Sequence, residues 1–167
     1  MAFLTSYWLL PILFMLHDFE ELIFVQSWRK TNKAAIHGIK LFAGIKRTDI
    51  LAGGVSEEFC GYLVVAFAAY QFKAPLLVAA ATVPYILHLI LHIIFPLTTR
   101  SYIPGCVTAI VELPLVSAYL YAIIKLTFAS INQWFFAICL MTIIFASNLV
   151  FIHWAMRKIL ERLEDHN

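Results

Sequence analysis

Five long apolar stretches divide this sequence, and their lengths constrain the fold more than any other feature. They run over about residues 3–28, 49–72, 74–97, 102–125 and 131–156. Each has about the twenty residues that an α-helix needs to cross a bilayer. With 62% hydrophobic and 13% charged residues, the chain has too little polar surface for a soluble globule. We therefore predict an all-α, polytopic membrane bundle of five transmembrane helices, forming a single domain over residues 1–167.

The basic residues predict how this bundle is oriented. Ten of the twelve lysine and arginine residues follow the first or third stretch or lie in the C-terminal tail. The opposite side has Lys73 and Lys125. Because positively charged loops stay in the cytoplasm, we expect the N-terminus outside and the C-terminus in the cytoplasm. We interpret this positive charge as a signal of membrane orientation. It does not predict a nucleic-acid partner, because the chain lacks the folded basic surface that nucleic-acid binding usually needs.

A cluster of ionisable residues interrupts the first apolar stretch, which reads His17-Asp18-Phe19-Glu20-Glu21. An ionisable side chain inside a spanning helix is costly unless it is paired, protonated or bound to metal. His17, Glu20 and Glu21 are spaced i, i+3 and i+4 and share one helix face, whereas Asp18 points to the side. These acids are therefore candidates for a function.

Other ionisable residues fall at a similar depth when each helix is counted from its cytoplasmic end at 1.5 Å per residue. All lie about 8 to 16 Å from that end. They are Glu57 and Glu58 on the second helix, His88 and His92 on the third, and Glu112 on the fourth. The i, i+4 spacing of the two histidines lets both imidazoles reach one metal ion. We predict a polar layer in the cytoplasmic half of the membrane.

This layer predicts a metal site, because a divalent cation offsets the repulsion among buried carboxylates. Its donors exceed the needs of one tetrahedral ion and resemble dinuclear sites in helical bundles, so we favour two divalent ions over one. Imidazole and carboxylate donors suit zinc or iron, and also manganese. The candidate ligands are His17, Glu20, Glu21, Glu57, Glu58, His88 and His92. Glu20 or Glu57 is the candidate catalytic carboxylate, and Glu112 and His153 are secondary candidates.

Each of these groups also has a simpler interpretation. The cluster near His17 is compatible with a hydrogen-bonded packing motif. Glu112 is equally well explained as a metal ligand or as an acid bonded to a neighbouring group. His153 lies near the end of the fifth stretch, beside Trp154, where an interfacial anchor is the more ordinary role. Asn148 is expected to form a helix–helix hydrogen bond.

Three motifs, in order along the chain, resemble those of the HXXEE family of bacterial membrane proteins. His17, Glu20 and Glu21 match H-x-x-E-E, and His88-Leu-Ile-Leu-His92 occupies the place of an N-x-x-x-H element. Tyr102-Ile-Pro-Gly105 and then Thr108 match the Y-x-P-G element and its threonine. The resemblance extends from His17 to about Pro114 and implies a membrane-embedded, metal-dependent protein of a bacterial inner membrane. His88 stands where the family often has asparagine, so the role of a ligand carries over better to His92.

Three classes of function are compatible with these features. The first is a metal-dependent hydrolase acting on a lipid-like or amphipathic substrate, with a di-iron oxidase or hydroxylase as its oxidative alternative. The second is a divalent-cation or proton-coupled transporter, although no internal repeat is visible. The third is a structural protein with a metal-stabilised core, and an oligomer is compatible with all three.

Overall fold

The computed structural model of the chain describes residues 2–31 and 47–165, and within these ranges every regular element is a helix. A short 3-10 helix, Ala2–Thr5, precedes five α-helices. These are α1 (Leu9–Thr31), α2 (Thr48–Phe72), α3 (Pro75–Thr99), α4 (Cys106–Ile124) and α5 (Ile131–Asp165). The predicted all-α class is confirmed, and each helix lies on one of the predicted apolar stretches.

Four of the five helices, α2 to α5, are long and apolar enough to cross a membrane. Helix α1 has 23 residues, but Asp18, Glu20 and Glu21 lie in its middle. An integral membrane protein is therefore supported, whereas the fifth span and the orientation of the termini stay predictions. Part of the basic segment used for the orientation, including Lys33 and Lys40, lies outside the described residues.

Local sequence signals explain where the helices begin and end. Pro75 is the first residue of α3, a position that needs no backbone N–H donor. The turn after α3 passes through Arg100 and Gly105, which have φ angles of +50° and +93°, and α4 begins only after it. The fourth helix was predicted from about residue 102 and starts later because this turn intervenes. Ser130 and Gln133 bond each other's backbone N–H groups and form a capping box before α5.

Helix α3 is the centre of the bundle and contacts the other four α-helices. Its residue Tyr85 is fully buried and packs near Phe14 of α1 and Tyr62 of α2. Tyr62 also stacks on Phe145 of α5, with ring centroids 4.4 Å apart. The outer surface is lined by exposed apolar side chains, as expected for helices that face lipid.

One end of the bundle brings the charged segments together. The C-terminal half of α1, the beginning of α2, the C-terminal half of α3 and the beginning of α4 all lie at this end. His92 lies seven residues before the end of α3, or about 10 Å along the axis. The α3–α4 turn, residues 100–105, therefore lies against the polar layer.

Candidate metal centre

Four ionisable side chains meet inside this end of the bundle, and we call them the His/Glu cluster: His17, Glu21, His88 and His92. One ligand atom from each lies within 4.8 Å of the other three. The i, i+4 spacing on α1 and on α3 aims both pairs at the same point, as the sequence predicted. His17 is fully buried and Glu21 is 6% exposed.

Three of the distances within the His/Glu cluster are close to those expected around a shared metal ion. His17 Nε2 lies 3.2 Å from His88 Nε2 and 3.7 Å from Glu21 Oε1, and Glu21 Oε1 lies 3.0 Å from His92 Nε2. Zinc bonds of about 2.0–2.2 Å place neighbouring ligand atoms of a tetrahedral site about 3.3–3.6 Å apart. These three distances lie within about 0.3 Å of that range, whereas ligand atoms as far as 4.8 Å apart would move closer together on binding one ion. Glu21 Oε1 is also buried without a hydrogen bond of regular geometry, so a cation would supply its missing partner.

Thr108 fixes the orientation of the His17 ring. Its hydroxyl lies 2.6 Å from Glu20 Oε2 and 3.0 Å from His17 Nδ1. Because the hydroxyl has one proton, donated to the carboxylate, it accepts the hydrogen bond from Nδ1–H of His17. Nε2 of His17 then carries the lone pair and faces the other members of the His/Glu cluster. Such an outer hydrogen bond is what orients a metal-binding histidine.

Glu20 lies outside the His/Glu cluster, although the sequence predicted it as a ligand and a catalytic group. Its carboxylate accepts hydrogen bonds from the backbone N–H groups of Val107 and Thr108, at 3.3 and 2.7 Å, and from the Tyr102 hydroxyl at 2.7 Å. Val107 and Thr108 are in the first turn of α4, whose N–H groups have no partner within the helix. Glu20 thus caps α4 from α1, and this use of its oxygens explains why it turns away from Glu21.

Tyr102 completes this cap from the α3–α4 turn. Partial burial, together with the adjacent Glu20 carboxylate, raises the pKa of Tyr102 above its ordinary value, so its phenol stays a proton donor. The backbone carbonyl of Tyr102 accepts a hydrogen bond from Nε1 of Trp28. The turn is therefore attached to α1 at two points.

Gly105 lies directly against the His/Glu cluster. A Cβ atom built there would lie 2.6 Å from His92 Nδ1 and 2.9 Å from Glu21 Oε1. Its φ of +93° also disfavours any residue with a side chain. The tyrosine of the Y-x-P-G element therefore donates a hydrogen bond to Glu20, and its glycine lets the backbone of the turn lie close to the His/Glu cluster. From sequence, this segment was interpreted as a helix start.

A cavity of about 360 Å³ adjoins the His/Glu cluster. Glu21, His88 and His92 contribute to its wall, and so do the carboxyl groups of Asp18 and Glu58. Most of the remaining wall is apolar and comes from α2, α3 and α5, with Leu51, Val55, Leu91, Phe95, Leu149 and Ile152 among its residues. The candidate metal centre is thus open on one side to an apolar chamber.

The two adjacent glutamates of α2 have different surroundings. Glu58 lines the cavity, whereas Glu57 is exposed on the outside of the bundle and accepts a 2.9 Å hydrogen bond from Asn148 of α5. The structure does not bring Glu57 to the His/Glu cluster, in contrast to its predicted roles as ligand and catalytic group. The helix–helix hydrogen bond expected of Asn148 is present.

The secondary candidates also lie outside the His/Glu cluster. Glu112 is buried and accepts a 2.6 Å hydrogen bond from the Tyr85 hydroxyl, so its alternative role as a hydrogen-bonded acid has direct support. His153 lines the cavity from α5. Sequence reasoning set Asp18 aside, yet it is 4% exposed and lines the cavity too.

Comparison with known proteins gives one match. Residues 8–120 match the family described as protein of unknown function with HXXEE motif. This range holds every member of the His/Glu cluster, the α4 cap and the turn that closes the site. No match to the chain is found among curated proteins or among solved structures.

Proposed function

The chain belongs to the HXXEE family, and from this premise we propose that it is a membrane-embedded metalloenzyme whose His/Glu cluster holds one divalent metal ion. The observation that carries the proposal is the meeting of three imidazoles and one carboxylate within 4.8 Å. Such a group inside a bundle is costly unless its members are paired, protonated or joined by a cation.

We propose one ion rather than the two predicted from sequence. The four donors of the His/Glu cluster suffice for one ion. Of the further ligands that a second ion needs, Glu20 is occupied by the cap of α4 and Glu57 faces outward. The donor set suits zinc or iron, with manganese as a further option.

The proposed reaction is hydrolysis. His17, His88, His92 and Glu21 would hold the divalent ion, whose positive charge would polarise a scissile bond and make water a stronger acid. Glu58 takes the proton-transfer role that the sequence assigned to Glu20 or Glu57, since its carboxyl group lines the cavity beside the His/Glu cluster. The hydrogen bond to Thr108 holds the His17 ring in place, so the arrangement of the proposed metal ligands is preorganised.

The proposed substrate is lipid-like or amphipathic. The apolar wall of the cavity suits an alkyl chain, and the polar wall suits a reacting headgroup. We further propose that α1 is the fifth span and that the end with the His/Glu cluster faces the cytoplasm. The basic residues Arg29, Lys30, Arg47 and Arg100 at this end support that orientation.

Elemental analysis of the purified protein in maltoside micelles tests the metal. We expect about one zinc or iron per chain in the wild type and less than a tenth of that in Glu21→Gln. Glu57→Gln is the matched control and should keep the full content, because Glu57 faces outward. Absence of stoichiometric metal in the wild type, or equal metal in Glu21→Gln, overturns the proposal.

A second experiment separates the enzyme from the transporter. Metal-loaded protein is incubated with short-chain acyl esters and amides, and in parallel it is reconstituted into sealed vesicles for metal-uptake measurements. Hydrolysis that depends on the bound metal supports the enzyme. Metal flux across the vesicle membrane without hydrolysis supports the transporter instead.

A further inference from the structure

Asp18 is a buried acid that the proposed mechanism does not use. It lies next to His17 on α1, is 4% exposed and lines the cavity. Its Oδ2 atom is buried and has no hydrogen-bond partner among the described residues. Unsatisfied buried oxygens are rare in folded proteins and indicate a missing partner.

The neighbours of Asp18 restrict what that partner is. The carboxyl groups of Glu21 and Glu58 line the same cavity as Asp18. Among the described residues that line the cavity, none is a lysine or an arginine, and the other ionisable groups there are three histidines. An anionic group placed at Asp18 would therefore lie beside other acids without a compensating lysine or arginine.

A second metal ion does not fit Asp18 as well. Within the described ranges, the His/Glu cluster is the one group of three or more metal-binding side chains with converging ligand atoms, and Asp18 is not a member. The other potential ligands in the cavity wall outside that cluster are Glu58 and His153, and they form no converging group with Asp18. An organic cation needs no such set of ligands, because one carboxylate and a close apolar surface suffice.

We propose that Asp18 forms a subsite for the ammonium group of the ligand, so that the substrate class is an amine-bearing amphiphile. The alkyl chain lies against Leu51, Val55, Leu149 and Ile152 on α2 and α5, and the cationic nitrogen lies at Oδ2 of Asp18. The reacting bond is then presented to the His/Glu cluster from the same cavity. The identification of this ligand as a substrate rests on the proposed function, whereas the binding of the cation does not.

Three six-carbon probes test the subsite in maltoside micelles: hexyltrimethylammonium, 1-hexanol and hexyl phosphate. The quaternary ammonium has no lone pair and cannot coordinate a metal ion, so its binding reports the carboxylate. Apparent affinities come from the rise in unfolding temperature with probe concentration. We expect the wild type to bind the ammonium at least about tenfold more tightly than the alcohol, and in protein without bound metal the phosphate most weakly.

The isosteric variant Asp18→Asn should lose most of the preference for ammonium while its affinity for hexanol changes little. Glu57→Gln removes a carboxyl group that faces away from the cavity and should keep the preference. Equal binding of ammonium and alcohol by the wild type overturns the proposal without any variant. A preference that survives in Asp18→Asn overturns it as well.

Metal analysis of the same samples separates this proposal from the preceding one. Metal present without a preference for ammonium means that the subsite is wrong and the metal centre stands. A preference for ammonium in protein that binds no metal means that the subsite stands and the proposed metalloenzyme is wrong.

Discussion

The hydroxyl of Thr108 on α4 lies 3.0 Å from Nδ1 of His17 on α1, at the edge of the ring opposite the His/Glu cluster. This contact selects the tautomer that leaves Nε2 free for a metal ion. Thr108→Val should lower metal affinity by about 10–100-fold, the usual cost of removing a hydrogen bond to a metal-binding histidine. Thr108→Ser keeps the hydroxyl and should retain most of the affinity. Titration of the metal-free proteins with zinc measures both, and equal affinities of Thr108→Val and the wild type would contradict the assignment.

The two adjacent acids of the H-x-x-E-E motif should differ when each is replaced. Glu20→Gln weakens charge-assisted bonds to the N-terminus of α4 and should lower the free energy of unfolding by about 1.5–3 kcal/mol. Glu21→Gln should instead cost metal affinity, because its oxygen lies within the His/Glu cluster. Thermal unfolding of both proteins without metal, followed by metal titration, separates the two roles. The assignment fails if Glu20→Gln is the variant that loses metal at unchanged stability.

Gly105→Ala should damage both the turn and the metal centre. The added methyl group meets His92 Nδ1 at 2.6 Å in a backbone conformation with positive φ. We expect a loss of about 1–3 kcal/mol of stability, together with weakened metal binding. Gly53→Ala is the control, since a Cβ there meets nothing within 4 Å. That change should lie within about 1 kcal/mol of the wild type, on the stabilising side.

Removal of the metal should lower the unfolding temperature of the protein, and this effect should depend on the ligands of the His/Glu cluster. At a free metal concentration of 100 times Kd, binding stabilises the folded state by about 2.7 kcal/mol. A chelator should therefore lower the unfolding temperature of the wild type and leave that of Glu21→Gln unchanged. An identical response of the two proteins to the chelator would show that the ion binds elsewhere.

Tyr85 and Glu112 should affect stability without affecting the metal. Their buried 2.6 Å hydrogen bond satisfies the carboxyl group of Glu112, so Tyr85→Phe should cost about 1–3 kcal/mol. Tyr121→Phe, at a position that is 62% exposed, should cost little. Thermal unfolding and metal content measure the two effects. Loss of metal in Tyr85→Phe at unchanged stability would return Glu112 to the list of candidate ligands.

Helical periodicity and depth were sufficient to predict four members of the candidate site. The i, i+4 spacings of His17 with Glu21 and of His88 with His92 place the members of each pair on one face of their helix. The depth count also placed these pairs at the same end of the bundle. Each apolar stretch overlaps one of the five α-helices, because apolar length is a local property of the sequence, although α1 begins at Leu9 and α5 continues to Asp165.

The choice between neighbouring acids was beyond local reasoning. Glu20 and Glu21 lie on nearly the same face of α1, and only the position of the first turn of α4 draws Glu20 away. Which of Glu57 and Glu58 faces the cavity likewise depends on how α2 is rotated against α5. The motif residues Tyr102, Gly105 and Thr108 were visible in sequence, but their roles depend on contacts with α1. Such contacts are set by the packing of helices that are far apart in the sequence, so local patterns do not predict them.

The contacts that α1 makes with the first turn of α4 have a consequence for biosynthesis. His17 and Thr108 are separated by 91 positions in the sequence, so the ribosome completes α2 and α3 before the partner of α1 emerges. Until then α1 carries its acids and histidine without the contacts that later orient them. Assembly of the His/Glu cluster in the observed geometry is therefore a step that follows the arrival of the fourth helix.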